Sequence, residues 1–498
     1  MYRISVPVTN WFPNRTLDRE ATLAELRRVG ATRVWLCSAR GIEGETRLAE
    51  EERLLIENRA FFEQSGLEVG VWICSLGHGG ALIQDDPDAL RNAGKYRRMV
   101  GMNGTTCDDT FCPSDEAFVR DYADWVGRIA ATGAKLIMLD DDYRLCVRPN
   151  GNGCCCEYHM KEYEKRVGRK IDRSDLKALV FGGSACRERD EWLDMGSDAL
   201  TALARTLRRR VDEINPNVRL GISSVLSTWD ADGVDALALS RAFAGSTRPF
   251  LRLSGAPYWK ARGFQGVGLG PLIEVNRMEL SFLKDADIEL FTEGDTYPRP
   301  RFATPASHLE VFDQALRTDD RADGILRYTI DYTSSPRYER GYADAMRRSA
   351  PVYRWLEAHM RGGSFEGTNV LCRQHRLRAA DLRPDVSLDE LVSRFFFSSA
   401  QRLLCDNSLP ITYNGRGPHV VFGENGKYVT EEQLSEGAVI DMDAARLLMA
   451  RGVDVGIERM SEEREQAGEE YFEADDEYVA TTGAPRFREI APKSGAAV

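Results

Sequence analysis

A strand-like run, Lys135-Leu-Ile-Met-Leu139, ends in three aspartates, Asp140, Asp141 and Asp142. A second run, Ile288-Glu-Leu-Phe-Thr292, ends at Glu293. Both runs are apolar enough to be buried, so each delivers a carboxylate to its C-terminal end. In a parallel α/β barrel those ends form the catalytic face. Two carboxylates meeting there from different strands suit acid/base or nucleophilic work on a polar substrate such as a sugar. Side chains alternate along a strand, so the three aspartates cannot all face one way. One is expected to point into the barrel mouth and another to pack sideways. Two plainer readings compete. The triplet could serve as turn or cap residues, or gather a Mg²⁺ or Ca²⁺ ion.

A second constellation follows the aspartates. Cys154-Cys155-Cys156-Glu157-Tyr158-His159 contains C-x-C-x-x-H. Cys154, Cys156 and His159 supply three ligands of the kind a tetrahedral zinc site needs, with Cys112 or Cys107 as the fourth. A closed Cys₃His site is structural, because no position stays open for water. His159 would then need a partner for its second ring nitrogen. The competing reading is a cysteine-rich loop without metal. Cys37, Cys74, Cys146, Cys186, Cys372 and Cys405 stand alone and read as small apolar residues.

The elements that would carry these groups alternate along the first part of the chain. Strands are expected at Arg3–Thr9, Arg33–Cys37, Glu68–Cys74, Lys135–Leu139, Arg219–Ser223, Pro249–Leu253, Ile288–Thr292 and Gly324–Thr329, with amphipathic helices between them. Eight βα units in one run predict a (β/α)₈ barrel over 1–360. A doubly wound open sheet is disfavoured, since no G-x-G-x-x-G follows the first strand. Arg361-Gly-Gly-Ser-Phe-Glu-Gly opens a linker expected over 361–380, and a smaller α/β domain follows over 381–498, ending in an acidic, frayed tail.

Other strand ends carry groups that suit a sugar. Asn10 follows the first strand, Arg40 the second and His78 the third. Arg252 and Tyr258 belong to the sixth, Asp295 and Arg299 follow Glu293, and Tyr328 lies on the eighth. Aromatic faces stack on pyranose rings, while Asp, Asn and Arg hydrogen-bond hydroxyls.

Composition narrows the class. The 498 residues are 43% hydrophobic and 29% charged, enough for a large core in two or three domains. A net charge of −12 argues against non-specific nucleic-acid or anionic-membrane partners. The N-terminus lacks a signal-peptide layout, and no apolar run approaches the ~20 residues of a membrane span. Eleven cysteines without an export signal fit a reducing cytoplasm.

Together these residues resemble glycoside hydrolase family 42, the β-galactosidases. In that family strand four ends in Asp-Asn-Glu-Tyr; here it ends in Asp140-Asp141-Asp142-Tyr143. The resemblance places Asp142 at the acid/base position and Glu293 at the nucleophile position. It implies a zinc cluster of Cys112, in Cys112-Pro113-Ser114, with Cys154, Cys156 and His159, and so prefers Cys112 over Cys107. It also implies that the smaller domain is amidotransferase-like and that the chain forms a homo-oligomer, trimer or dimer. The departures are Asp141 for asparagine and Asp142 for glutamate. An ionised carboxylate cannot donate to a sugar hydroxyl as asparagine does, and Asp is one methylene shorter than Glu.

The leading expectation is a retaining glycosidase acting on a small-molecule or oligosaccharide substrate, with a β-galactoside-like sugar. Asp142 is its acid/base, Glu293 its nucleophile, and Arg252, Asn10 and Tyr328 position the sugar. The alternatives are a carbohydrate-binding barrel without catalysis and a metal-dependent lyase or hydrolase using Asp140 to Asp142.

Overall fold

The computed structural model describes the chain apart from residues 1, 13–15, 80–86, 262–267, 298–302, 333, 384–385, 388–390, 392–396, 463, 466–468, 473–476, 481–485, 488–489 and 496–498. Strands β1 (Arg3–Thr9), β2 (Arg33–Cys37), β3 (Glu68–Ile73), β4 (Leu136–Leu139), β5 (Arg219–Ser224), β6 (Phe250–Leu253), β7 (Glu289–Gly294) and β8 (Gly324–Arg327) close into a barrel. Every neighbouring pair is parallel, and β8 returns to pair with β1. An antiparallel hairpin, Arg98–Val100 with Thr106–Phe111, is inserted between β3 and β4.

Alternation fills the interior. Trp35, Trp72, Leu136, Met138, Phe250, Phe291, Leu326 and Tyr328 form one buried cluster. The large rings need small neighbours. Trp35 stands in register beside Gly70, where a Cβ would come within 2.4 Å of its ring. Gly221 makes the same room for Phe250, at 2.6 Å. A methyl group at either position would have to displace a ring in a close-packed interior.

The barrel floor is ionic. The buried carboxylate of Glu289 takes Arg3 at 2.6 Å, Arg33 at 2.8 Å and Arg219 at 2.8 Å. Burial alone would raise the pKa of Glu289, but Arg33 and Arg219 override it and bring the value down to about 2.

The chain divides into two compact units. One comprises Met1–Phe365 with Arg373–Asp406, and the other Glu366–Cys372 with Asn407–Val498. The division is not at 381, and the reason lies in buried arginines. Arg189, on the helix Arg187–Ile214, donates to the carbonyls of Val180, Gly182, Gly183, Leu377 and Ala380. Arg376 pairs with buried Asp230 at 2.9 Å. Residues 373–406 therefore belong with the barrel. The second unit has a parallel sheet ordered Ile411–Thr412, Thr368–Val370, His419–Val421, Ala438–Ile440. Its tail, expected to fray, instead pairs into antiparallel ribbons, Ile457–Met460 with Ile490–Pro492 and Glu469–Phe472 with Glu477–Ala480. No helix among the described residues is long and apolar enough to cross a membrane.

Glu289→Gln leaves buried Arg33 with only the half-exposed Glu68 as counter-charge and is expected to cost about 3–5 kcal/mol at neutral pH. The native carboxylate contributes this stability above its unfolded value of ~4.3 and loses it as pH falls towards about 2. Calorimetric melting should show the gap between wild type and variant narrowing in acid. A gap below about 1 kcal/mol at pH 7 would sink this account of the floor.

Candidate active site and cysteine-histidine cluster

The same alternation that fills the interior builds the mouth. Leu136 and Met138 of β4 point inward, so Asp140, two residues on, does too. By the same step Trp35 leads to Cys37, Trp72 to Cys74, Phe250 to Arg252 and Phe291 to Glu293, while Tyr328 itself is inward. The top layer of the barrel is therefore chemical rather than apolar.

Arg252 organises that layer. It is 1% exposed, and one of its nitrogens, Nη2, lies 3.0 Å from Asp140 and 3.4 Å from Glu293. Its Nε donates to Ser223 Oγ at 2.6 Å, and the guanidinium lies 5.1 Å from the centre of the Trp72 ring. Asp140 also accepts from the Asp141 backbone N–H at 2.8 Å and contacts His78 Nε2 at 3.2 Å. Burial opposes the charge on Asp140, but His78 and Arg252 outweigh it and hold the carboxyl well below the usual range. Glu293 is pushed the other way, to about 8. Burial is the main cause; Arg252 opposes it, and Asp295, Asp141 and Asp140 add to it. Tyr258 is raised by burial and then by Glu293, Asp295 and Asp141, which places it beside them.

The three aspartates have three different surroundings. Asp142 is fully buried. Its two oxygens accept the Ser75 N–H at 2.7 and 2.9 Å, Ser75 Oγ at 2.7 Å and the Gly77 N–H at 2.7 Å. Gly77 has φ +103°, and a Cβ there would strike the Asp109 carbonyl at 1.8 Å, so the turn that donates these bonds requires glycine. Asp142 thus ties β4 to the loop after β3 and has no oxygen left for a substrate, which corrects its expected role as acid/base. Asp141 is the most open, with a side chain 22% exposed, 3.2 Å from Arg144 and 3.9 Å from His78.

Two further expectations are corrected. Asn10 faces away from the mouth. Its amide donates to Glu51 Oε2 at 2.8 Å and accepts from Asn58 at 2.9 Å, joining β1 to the helix Glu45–Gln64. Arg40 donates to the carbonyls of Ser75 at 2.9 Å and Asp109 at 2.7 Å, pinning loops rather than facing a ligand. Tyr328 is buried edge-on to Trp72, with ring centres 6.3 Å apart. Asp295 is close enough to Glu293 to raise it, and Arg299 lies outside the described residues. Sequence reading missed Trp72, Ser223 and Arg144. Counting two residues from each interior ring would have found Cys74 and Cys37.

The donor atoms of Cys112, Cys154, Cys156 and His159 all lie within 4.8 Å of one another, and all four residues are buried. Cys112 Sγ is 3.8 Å from Cys156 Sγ and 3.5 Å from His159 Nδ1, and Cys156 Sγ is 3.4 Å from Nδ1. A tetrahedron with zinc–sulfur bonds of ~2.3 Å and zinc–nitrogen bonds of ~2.0 Å has edges of ~3.8 and ~3.6 Å. The residues fit that ion. His159 Nε2 lies 3.1 Å from Ser114 Oγ, a partner that fixes which nitrogen faces the sulfurs. Cys155 turns away into an apolar cluster with Tyr163, Leu176 and Trp192.

Asp142→Asn, which puts a donor against the Ser75 and Gly77 N–H groups, should destabilise the chain by about 1–3 kcal/mol, read by chemical denaturation. A neutral effect would mean that this anchor is not needed.

No known family profile matches the sequence, and no curated protein does. Solved structures do resemble the fold. A β-galactosidase from the Antarctic haloarchaeon Halorubrum lacusprofundi superposes with a TM-score of 0.59 at 13% identity, covering 98% of this chain and 81% of that one. A β-galactosidase from the psychrophilic Marinomonas ef1 gives 0.57 at 9%, covering 98% and 84%. The α-L-fucosidase isoenzyme 2 of Paenibacillus thiaminolyticus gives 0.56 at 11%, covering 99% and 73%. These neighbours are glycoside hydrolases with a closed eight-stranded barrel, and the likeness establishes that fold for this chain.

Proposed function

We propose that this chain is a retaining glycoside hydrolase, similar to family 42, that cleaves a terminal glycosidic bond with Glu293 as nucleophile and Asp141 as acid/base. The observation that carries the reading is the sharing of one Arg252 nitrogen by Asp140 and Glu293, from the ends of β4 and β7. That sharing brings the ends of β4 and β7 to one cation, and Asp141, next to Asp140, is close enough to Glu293 to raise it, so both carboxyls lie at the same mouth. Asp141 is chosen because both oxygens of Asp142 are used and Asp140 is held by Arg252 and His78. The Nη1 of Arg252 is buried without a hydrogen-bond partner among the described residues, a donor suited to a sugar hydroxyl.

In the first step Glu293 attacks the anomeric carbon while Asp141 gives its proton to the departing oxygen. In the second, water attacks the glycosyl-enzyme as Asp141 takes a proton back. We further propose that the Cys112, Cys154, Cys156 and His159 cluster holds a structural zinc, which braces the loop after β4 and takes no part in the reaction. The metal-dependent lyase reading is weakened, since Asp142 has no free oxygen.

Glu293→Ala should abolish turnover of an aryl β-galactoside or another member of an aryl β-glycoside panel, with azide restoring part of it. Wild-type-like turnover in this variant ends the proposal. Because a nucleophile must be ionised, kcat/KM should fall as pH is lowered through about 8. A fall as pH rises through that value would instead make Glu293 the acid. Cys156→Ser should release one tightly held zinc per chain and lower the melting temperature, while brief chelation leaves wild-type activity intact.

A further inference from the structure

A second donor cluster lies in the mouth itself and is not absorbed by the glycosidase reading. Cys74, His78 and Asp140 each offer one donor atom, and these atoms lie within 4.8 Å of one another. Cys74 Sγ is 3.9 Å from His78 Nε2, and Nε2 is 3.2 Å from Asp140 Oδ2. The edges of a zinc tetrahedron are ~3.6 Å for sulfur to nitrogen and ~3.3 Å for nitrogen to oxygen. The unliganded side chains already sit near those lengths.

Three features beyond spacing favour an ion. Asp140 divides its oxygens: Oδ1 takes Arg252 and the Asp141 N–H, while Oδ2 faces His78, so a metal on Oδ2 leaves the Arg252 bridge intact. His78 turns its other nitrogen, Nδ1, toward the Asp141 carboxylate 3.9 Å away, longer than a hydrogen bond but near enough to favour Nε2 facing Asp140. The donors come from the ends of β3 and β4, held in register by paired strands, so little ordering is needed to assemble them.

We propose that Cys74, His78 and Asp140 form a second divalent metal site at the barrel mouth, taking an ion of the zinc class and leaving its fourth position open. Thiolate, imidazole and carboxylate together select zinc or cobalt over magnesium or calcium, which prefer all-oxygen shells. The open position distinguishes it from the closed Cys₃His cluster. It takes water or a hydroxyl of a bound polyol. If the glycosidase reading holds, an ion there occupies the space a sugar must enter, and turnover falls as the site fills.

The test is titration of the purified full-length chain with Co²⁺, followed by metal analysis and by thiolate-to-cobalt absorption. Wild type should bind a second, weaker equivalent beyond the one in the Cys112 cluster. Cys74→Ser should remove the absorption of that second equivalent, and His78→Ala should weaken it by at least ~10-fold. Cys156→Ser should leave it in place. Both mouth substitutions lie at partly exposed residues, and circular dichroism verifies their folding. A wild-type chain that stops at one equivalent under excess Co²⁺ overturns the proposal. So does a second equivalent unchanged in both Cys74→Ser and His78→Ala. The readout does not depend on catalysis: a second equivalent in a chain that hydrolyses nothing even before cobalt is added sinks only the glycosidase reading, and hydrolysis without a second equivalent sinks only this one.

Discussion

The mouth of this barrel depends on one buried cation. Asp140 and Glu293 are inward residues at the ends of β4 and β7, and both are nearly inaccessible to water. Two carboxylates cannot share such a space ionised without a counter-charge. Arg252 supplies it from β6, lying above Trp72 and anchored by Ser223. Without it, β4 and β7 would repel each other where the fold needs them close. With it, both carboxylates are held against a single nitrogen at the mouth.

The two ends of the barrel solve the burial of charge in opposite ways. At the floor one carboxylate, Glu289, meets three arginines, and its pKa drops. At the mouth one arginine meets two carboxylates, with Asp141 and Asp295 nearby, and Glu293 is raised. The floor is thus locked in one protonation state over ordinary conditions, as a structural device should be. The mouth is poised, with a strongly acidic Asp140 beside a weakly acidic Glu293. Carboxylates whose pKa values are pushed apart in this way cluster at functional sites.

The loops on either side of β4 are held by two other polar devices. Asp142 reaches sideways to Ser75 and Gly77, fixing the loop after β3. The Cys112, Cys154, Cys156 and His159 cluster gathers the segment after β4 against the start of the helix Glu116–Ala131. Neither faces a ligand. They tie the loops that flank the ends of β3 and β4, where Asp140, His78 and Cys74 converge.

Much of this was readable along the chain. β2 runs over Arg33–Cys37 as its apolar run predicts, and the C-terminal carboxylates of β4 and β7 fall on the expected face. Those features follow from local rules: strands are apolar runs, and side chains alternate with a period of two. The C-x-C-x-x-H spacing was equally local, because three donors within six residues need only one turn to meet. The use of each aspartate was not local. Asp142 follows the strand at a position that a linear motif equates with an acid/base, but its partners Ser75 and Gly77 come from the loop after another strand. Asn10 and Arg40 sit at strand ends and still serve neighbouring helices and loops. The pairing of Cys74 with Asp140 depends on the register between β3 and β4. The sequence by itself determined which side chains point into the barrel. Only the tertiary structure decided which of them meet, because contact across strands depends on register and loop path, which no local pattern encodes.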